Sequence, residues 1–178
     1  EIKVIVWDMD RTMSAGHCGK GLPREELKTF LDNISKDFIK FMNSLSQDPR
    51  FKHIYFGVAT NSDPLEYEEH IGGKKTHILG ADLASELLLR ANIEIFPIMI
   101  GYDYRLNGNT EENKGKRFHM REIRKFYDVK FNEMILFDDT RHNLENEDGW
   151  IGIRTKTNPE VGCFSFLDLH NFLSGLVQ

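Results

Sequence analysis

Little in this chain would tie it together covalently or hold it in a bilayer. Its 178 residues include two cysteines, Cys18 and Cys163, too few for a disulfide framework. A reducing compartment is therefore expected, and with it a cytoplasmic location. No apolar run reaches the ~20 residues of a membrane-spanning helix, and no signal peptide is evident. The chain opens at Glu1, directly on an apolar run, so a trimmed upstream segment is also expected. Positive charge is scarce: 23 Lys and Arg against 28 Asp and Glu leave a net charge of −5. That balance argues against a nucleic-acid surface, which needs a basic stripe. A small phosphorylated ligand is not excluded, because local charge decides that.

Nucleotide-binding and zinc signatures are missing too. Gly16–Gly21 has the wrong glycine and lysine spacing for a phosphate-cradling Walker loop, and no Ser or Thr follows Lys20. Gly73-Lys74-Lys75-Thr76 fails the same test, which weighs against an ATP-dependent kinase. His17 and Cys18 lack zinc-site spacing and read as part of a flap loop over residues 13–22, with His17 near substrate. There is no internal repeat, low-complexity tract or linker. Residues 1–178 are read as one domain, long enough to bury a core unaided.

What is present is a regular alternation of apolar strands and amphipathic helices. Strands are expected at Ile2–Trp7, Ile54–Ala59, Phe96–Ile100, Met134–Phe137 and Ile151–Arg154. The first, second and fourth are too uniformly apolar for a sheet with one wet face, which suits a parallel sheet covered on both sides. Helices are expected from Pro23 to Leu45, over Asp82–Ala91, Lys116–Tyr127 and Asn143–Asp148, and after Phe166. The fold class is thus α/β, a three-layer, doubly wound parallel sheet of about five strands.

Two of these strands end in paired acids. Ile2–Trp7 runs into Asp8-Met9-Asp10-Arg11-Thr12, and Met134–Phe137 runs into Asp138-Asp139. Acids this close repel unless a cation lies between them or one carries a proton. If the first and fourth strands are neighbours at the switch point, all four carboxylates converge and call for a hard cation such as Mg²⁺. The second strand ends in Thr60-Asn61-Ser62, bringing a hydroxyl and an amide to the same sheet edge. Lys116 opens a helix from which it can reach the crevice, with Lys114 as a competitor two residues earlier.

This ordered set, Asp8-x-Asp10-x-Thr12, Thr60, Lys116 and Asp138-Asp139, resembles the four motifs of the haloacid dehalogenase (HAD) superfamily. The match spans essentially the whole chain. Lys116, His119, Met134, Asp138, Asp139 and Asn143 fall at spacings similar to those of eukaryotic magnesium-dependent phosphatases of the small acid-phosphatase type, a resemblance that favours Lys116 over Lys114. Two departures stand out: Arg11 fills the variable position of the first motif, and Thr60-Asn61 stands where those relatives tend to carry Ser-Arg.

The resemblance implies a HAD-like Rossmannoid sheet; many relatives insert a cap, but the gaps Met13–Phe51 and Ser62–Asn113 leave room for a minimal cap or none. It implies a phosphomonoesterase in which Asp8 is the nucleophile and Asp10 the general acid and base. Met9, Thr60, Asn61 and Lys116 would hold the phosphate. Asp8, the Asp10 carbonyl and Asp139 would bind Mg²⁺, supported by Thr12, Asp138 and Asn143. Substrates would be a phosphoprotein, phosphotyrosine-like, or a small sugar phosphate. The alternative is a non-catalytic phosphate-binding or scaffold module with the same fold. Asp10 disfavours dehalogenase chemistry, and His119 reads as a packed or surface side chain.

Overall fold

The computed structural model describes residues 1–16, 21–60, 75–78, 80–93, 97–101, 110–155, 164 and 169–176. Its strands are β1 (Val4–Asp8), β2 (Leu22–Pro23), β3 (Tyr55–Thr60), β4 (His77–Ile78), β5 (Ile98–Gly101), β6 (Met134–Asp138) and β7 (Ile151–Arg154). Five of them form one sheet in the order β5-β3-β1-β6-β7, and every pairing in it is parallel. The helices are α1 (Leu27–Asp32), α2 (Lys36–Gln47), α3 (Gly80–Arg90), α4 (Arg117–Tyr127) and α5 (Leu169–Gly175). None of the described helices is long and apolar enough to cross a membrane.

The alternation of side chains along β1 explains its unbroken apolar sequence. Ile5 and Trp7 enter a core shared with Phe38, Phe41 and Met42 of α2 and Leu83 and Leu87 of α3. Val4 and Val6 face the other way, toward Met120 and Ile123 of α4. A strand packed on both faces has no solvent side to mark with polar residues. Gly57 lets α4 approach β3, since a Cβ there would lie 2.9 Å from Ile123 Cδ1.

Three expectations need correction. The helix expected from Pro23 to Leu45 is broken at Asn33–Ser35 into a short 3₁₀ turn with α1, and α2. The loop after β1 docks at the break: Ser35 N–H donates to the Met13 carbonyl at 2.8 Å and Ala15 N–H to the Asn33 carbonyl at 3.0 Å. The Ser35 hydroxyl caps α2 by accepting from the Phe38 N–H at 3.1 Å. The helix expected over Asn143–Asp148 is a 3₁₀ turn at Arg141–Leu144 instead. Beyond it, the Asn146 side chain bonds the Gly149 N–H and the Trp150 carbonyl, which competes with helix formation. The third sheet strand starts at Ile98, and Phe96 lies outside the described residues.

The β2–β4 ladder was not foreseen. It is a two-residue antiparallel pairing that ties the end of the 13–22 loop to the segment before α3.

Candidate active site

The site grows from the register of β1 and β6. Trp7 pairs with Phe137, so Asp8 and Asp138 leave adjacent strands side by side. Chain order reverses here, because β3 lies on one flank of β1 and β6 on the other. Ligands of open α/β sheets bind at such a point. One carboxylate oxygen each from Asp8, Asp138 and Asp139 lies within 4.8 Å of the other two. Vertices of a magnesium octahedron are about 3.0 Å apart when adjacent and about 4.2 Å when opposite, so closing the trio on a cation requires the carboxylates to draw together. The all-oxygen donor set also suits a hard divalent ion.

Lys116 is the buried counter-charge. It is 1% exposed, and its Nζ donates to Asp8 Oδ1 and to the Ala59 carbonyl, each at 2.8 Å, with Asp138 Oδ2 at 4.0 Å. Lysine at a helix start faces the positive end of the dipole, so this placement needs the carboxylates to compensate. Gly115 makes the approach possible: its φ is +63°, and a Cβ there would crowd the Asn143 backbone at 3.3 Å. Lys114 is exposed and pairs with Glu111 instead.

The electrostatics are dominated by burial. Burial pushes Asp8 up to about 8, with Asp138 adding to the push and Lys116 opposing it. Asp138 is likewise raised, chiefly by burial and against the pull of Lys116. Burial also works to discharge Lys116, but Asp8 and Asp138 overcome it and raise its pKa. Carboxylate charge here exceeds what one ammonium offsets.

The acids differ in how they are held. Asp138 is fully buried and accepts from the Thr140 N–H at 2.8 Å and from Asn143 Nδ2 at 3.1 and 3.2 Å. Asp139 is half-buried and accepts from its neighbour's hydroxyl, Thr140 Oγ1, at 3.3 Å. Asn143 makes this contact from the 3₁₀ turn at Arg141–Leu144.

Asp10 is half-buried in the loop beyond β1. The Met9 carbonyl closes this loop by accepting the Met13 N–H at 3.0 Å, while the Met9 side chain is in the core. Only the Met9 backbone is thus left to face a ligand. Arg11 is exposed with φ +55°, and its N–H donates to the Gly16 carbonyl at 3.1 Å. Thr12 is buried, its hydroxyl 3.3 Å from that of Thr155, and its carbonyl accepts the Phe164 N–H. Met13 and Ser14, at the root of the expected flap, are buried, and the Ser14 hydroxyl donates to the Phe30 carbonyl at 3.2 Å. His17, Cys18 and Asn61 lie outside the described residues.

Thr60 ends β3 and is 4% exposed. Its carbonyl accepts from His119 Nε2 at 2.8 Å, a contact that the sequence reading did not anticipate. The available signal was spacing: His119 stands three residues after Lys116, on the same helix face.

No protein-family model matches the chain, and no curated protein does either. Solved structures do match in fold. The N-terminal part of a Bacteroides fragilis protein, containing a phosphatase domain and complexed with Mg, aligns at a TM-score of 0.51 and 16% identity. The alignment covers 98% of this chain and 40% of that one. A HAD-superfamily hydrolase from Ehrlichia chaffeensis aligns at a TM-score of 0.53 and 11% identity, over 99% of this chain and 98% of that one. The HAD domain of the Legionella pneumophila effector Lem4 aligns at 0.51 and 10%, over 99% and 94%. The chain therefore has the fold of HAD-superfamily hydrolases, with an acidic cluster at its switch point.

Proposed function

We propose that the chain is a Mg²⁺-dependent phosphomonoesterase working through an aspartyl-phosphate on Asp8. The observation that carries this reading is the convergence of Asp8, Asp138 and Asp139 at the switch point, with a fully buried lysine paired to Asp8. Three hard-oxygen ligands beside one cationic side chain suit a metal that is completed by substrate phosphate.

In this reading the Asp8 carboxylate attacks phosphorus while the P–O ester bond breaks. Asp10, protonated, gives its proton to the leaving oxygen and releases an alcohol or phenol. As a carboxylate, Asp10 then takes a proton from water, whose oxygen attacks the phosphorus of the aspartyl-phosphate. The Asp8–phosphorus bond breaks and inorganic phosphate departs. Lys116 keeps Asp8 Oδ1 fixed throughout, and the Thr60 hydroxyl, Asn61 and the Met9 backbone hold phosphoryl oxygens. Asp8, the Asp10 carbonyl and Asp139 would hold Mg²⁺, with Asp138 as their neighbour. When bound, the ion would keep Asp8 ionised at neutral pH and stabilise charge on the phosphoryl oxygens.

The closer resemblance to magnesium-dependent phosphatases of the small acid-phosphatase type points to phosphorylated protein side chains or small sugar phosphates as substrates. The test is hydrolysis of p-nitrophenyl phosphate with Mg²⁺ and with EDTA, in the parent and in Asp8→Asn. Turnover should require both the ion and Asp8; turnover that survives chelation and the substitution overturns the reading.

A further inference from the structure

The N-cap and first turn of α4 grip the end of β3 at two successive carbonyls. Lys116 Nζ donates to the Ala59 carbonyl and His119 Nε2 to the Thr60 carbonyl, each at 2.8 Å. Lys116 is 1% exposed and His119 is 0% exposed, so water cannot substitute for either donor. A carbonyl only accepts, so His119 carries its hydrogen on Nε2. Burial, reinforced by nearby Lys116, pushes this imidazole down to about 3 and keeps it neutral at working pH. It is thus a fixed donor that takes no part in proton transfer.

Anchoring the Thr60 carbonyl fixes the backbone of Thr60, and with it the direction of the Cα–Cβ bond that carries its hydroxyl. That hydroxyl is assigned above to a phosphate oxygen. We infer that His119 is a positioning residue for phosphate binding: by holding the Thr60 carbonyl it aims the Thr60 hydroxyl at the phosphoryl group. The inference rests on the phosphatase reading for what binds there. It adds a residue that needs no contact with substrate. Gly57 contributes indirectly, because its missing side chain lets α4 sit close enough for both donors to reach β3.

The test compares His119→Leu, which removes the donor, with His119→Gln, whose amide nitrogen can reproduce the Nε2 position. His119→Asn serves as a milder loss in case the leucine variant does not fold, since its shorter amide falls short of the carbonyl. Inorganic phosphate is the probe, with affinity measured from ³¹P line broadening in the presence of Mg²⁺, well below each variant's melting temperature. Displacing a binding group by about 1 Å weakens its action on the order of 10²-fold, so a loss of about tenfold or more is expected for Leu or Asn. Gln should restore affinity to near that of the parent, and KM and kcat for p-nitrophenyl phosphate should follow the same order.

A purely structural histidine would lower the melting temperature yet leave phosphate affinity per folded molecule unchanged. That result in folded Leu or Asn variants overturns the inference. A parent that binds phosphate through His119 but hydrolyses no ester removes the phosphatase reading and leaves the positioning role standing. A parent that binds no phosphate removes both.

Discussion

Trp7 and Phe137 stack across the β1–β6 pairing, with ring centroids 4.4 Å apart and planes 12° from parallel, and each is followed in the chain by an acid of the cluster. The stacked pair, flanked edge-on by Phe38, Phe41 and Phe164, fills the sheet face opposite Asp8 and Asp138 and braces the β1–β6 pairing that presents them. The relative position of the two carboxylates is set by the β1–β6 register, which this packing holds from the other face. Phe137→Ala should lower stability by about 3–5 kcal/mol, the usual cost of emptying a buried phenylalanine site. It should also weaken Mg²⁺ binding at temperatures where the fold persists. Urea titration and calorimetry with Mg²⁺ check the two effects, and unchanged ion affinity in a folded variant would contradict this bracing role.

Lys116→Met leaves Asp8 and Asp138 buried without their counter-charge. Breaking one side of a buried pair costs about 3–5 kcal/mol. The sign with pH follows from the raised carboxylates. Lys116 pulls the Asp8 pKa down, so in the variant it lies above the parent's value of about 8; as pH rises past about 8 the parent ionises Asp8 beside Lys116 while the variant goes on losing stability. The gap in melting temperature between parent and variant should accordingly narrow as pH falls from 9 to 8 and change little below that. A gap that is constant or widens between pH 9 and 8 would contradict this.

His119 makes an opposite, acid-side prediction. Its folded pKa is about 3 against 6.5 for the ordinary histidine, so the unfolded chain holds the extra proton between those values. Its contribution to stability is complete above about pH 6.5 and is lost as pH falls through that window. At pH 4.5 the loss is roughly 2–3 kcal/mol, at about 1.4 kcal/mol per pH unit. His119→Gln should remove this part of the acid sensitivity, as read from unfolding free energies at pH 7.5 and 4.5. Equal acid sensitivity in the two proteins would mean that the histidine does not stay neutral in the fold.

Asp128 closes α4 in the left-handed region, at φ 51° and ψ 53°, and is exposed. That conformation suits glycine, which has no Cβ to clash. Asp128→Gly should raise stability by about 0.5–1 kcal/mol, measured by thermal melting, without altering phosphate affinity. A destabilised Asp128→Gly protein would mean that the aspartate side chain contributes more than the backbone costs.

Much of the frame was legible because β1 and β6 are buried on both faces and so read as unbroken apolar runs that stop at acids. The break at Ser35 was hidden for a related reason. Ile34 and Phe38 keep helical spacing across it, so periodicity alone runs α1 and α2 together, although serine at a helix start is itself a capping signal. The expected helix at Asn143–Asp148 failed because the Asn146 side chain satisfies backbone groups that a helix would have used. At the site, the aspartates and Lys116 could be found from motif order. The bond between His119 and Thr60 could not, since it joins residues 59 apart and depends on how closely α4 packs on β3.

The most direct measurement is acid-quench trapping of the phosphorylated protein. The purified chain is mixed with p-nitrophenyl phosphate and Mg²⁺, quenched within one turnover, digested and read by mass spectrometry. One phosphoryl group should appear on the peptide containing Asp8, and it should vanish in Asp8→Asn and in EDTA. A phosphoryl group on another residue, or steady turnover with none on that peptide, would contradict the account.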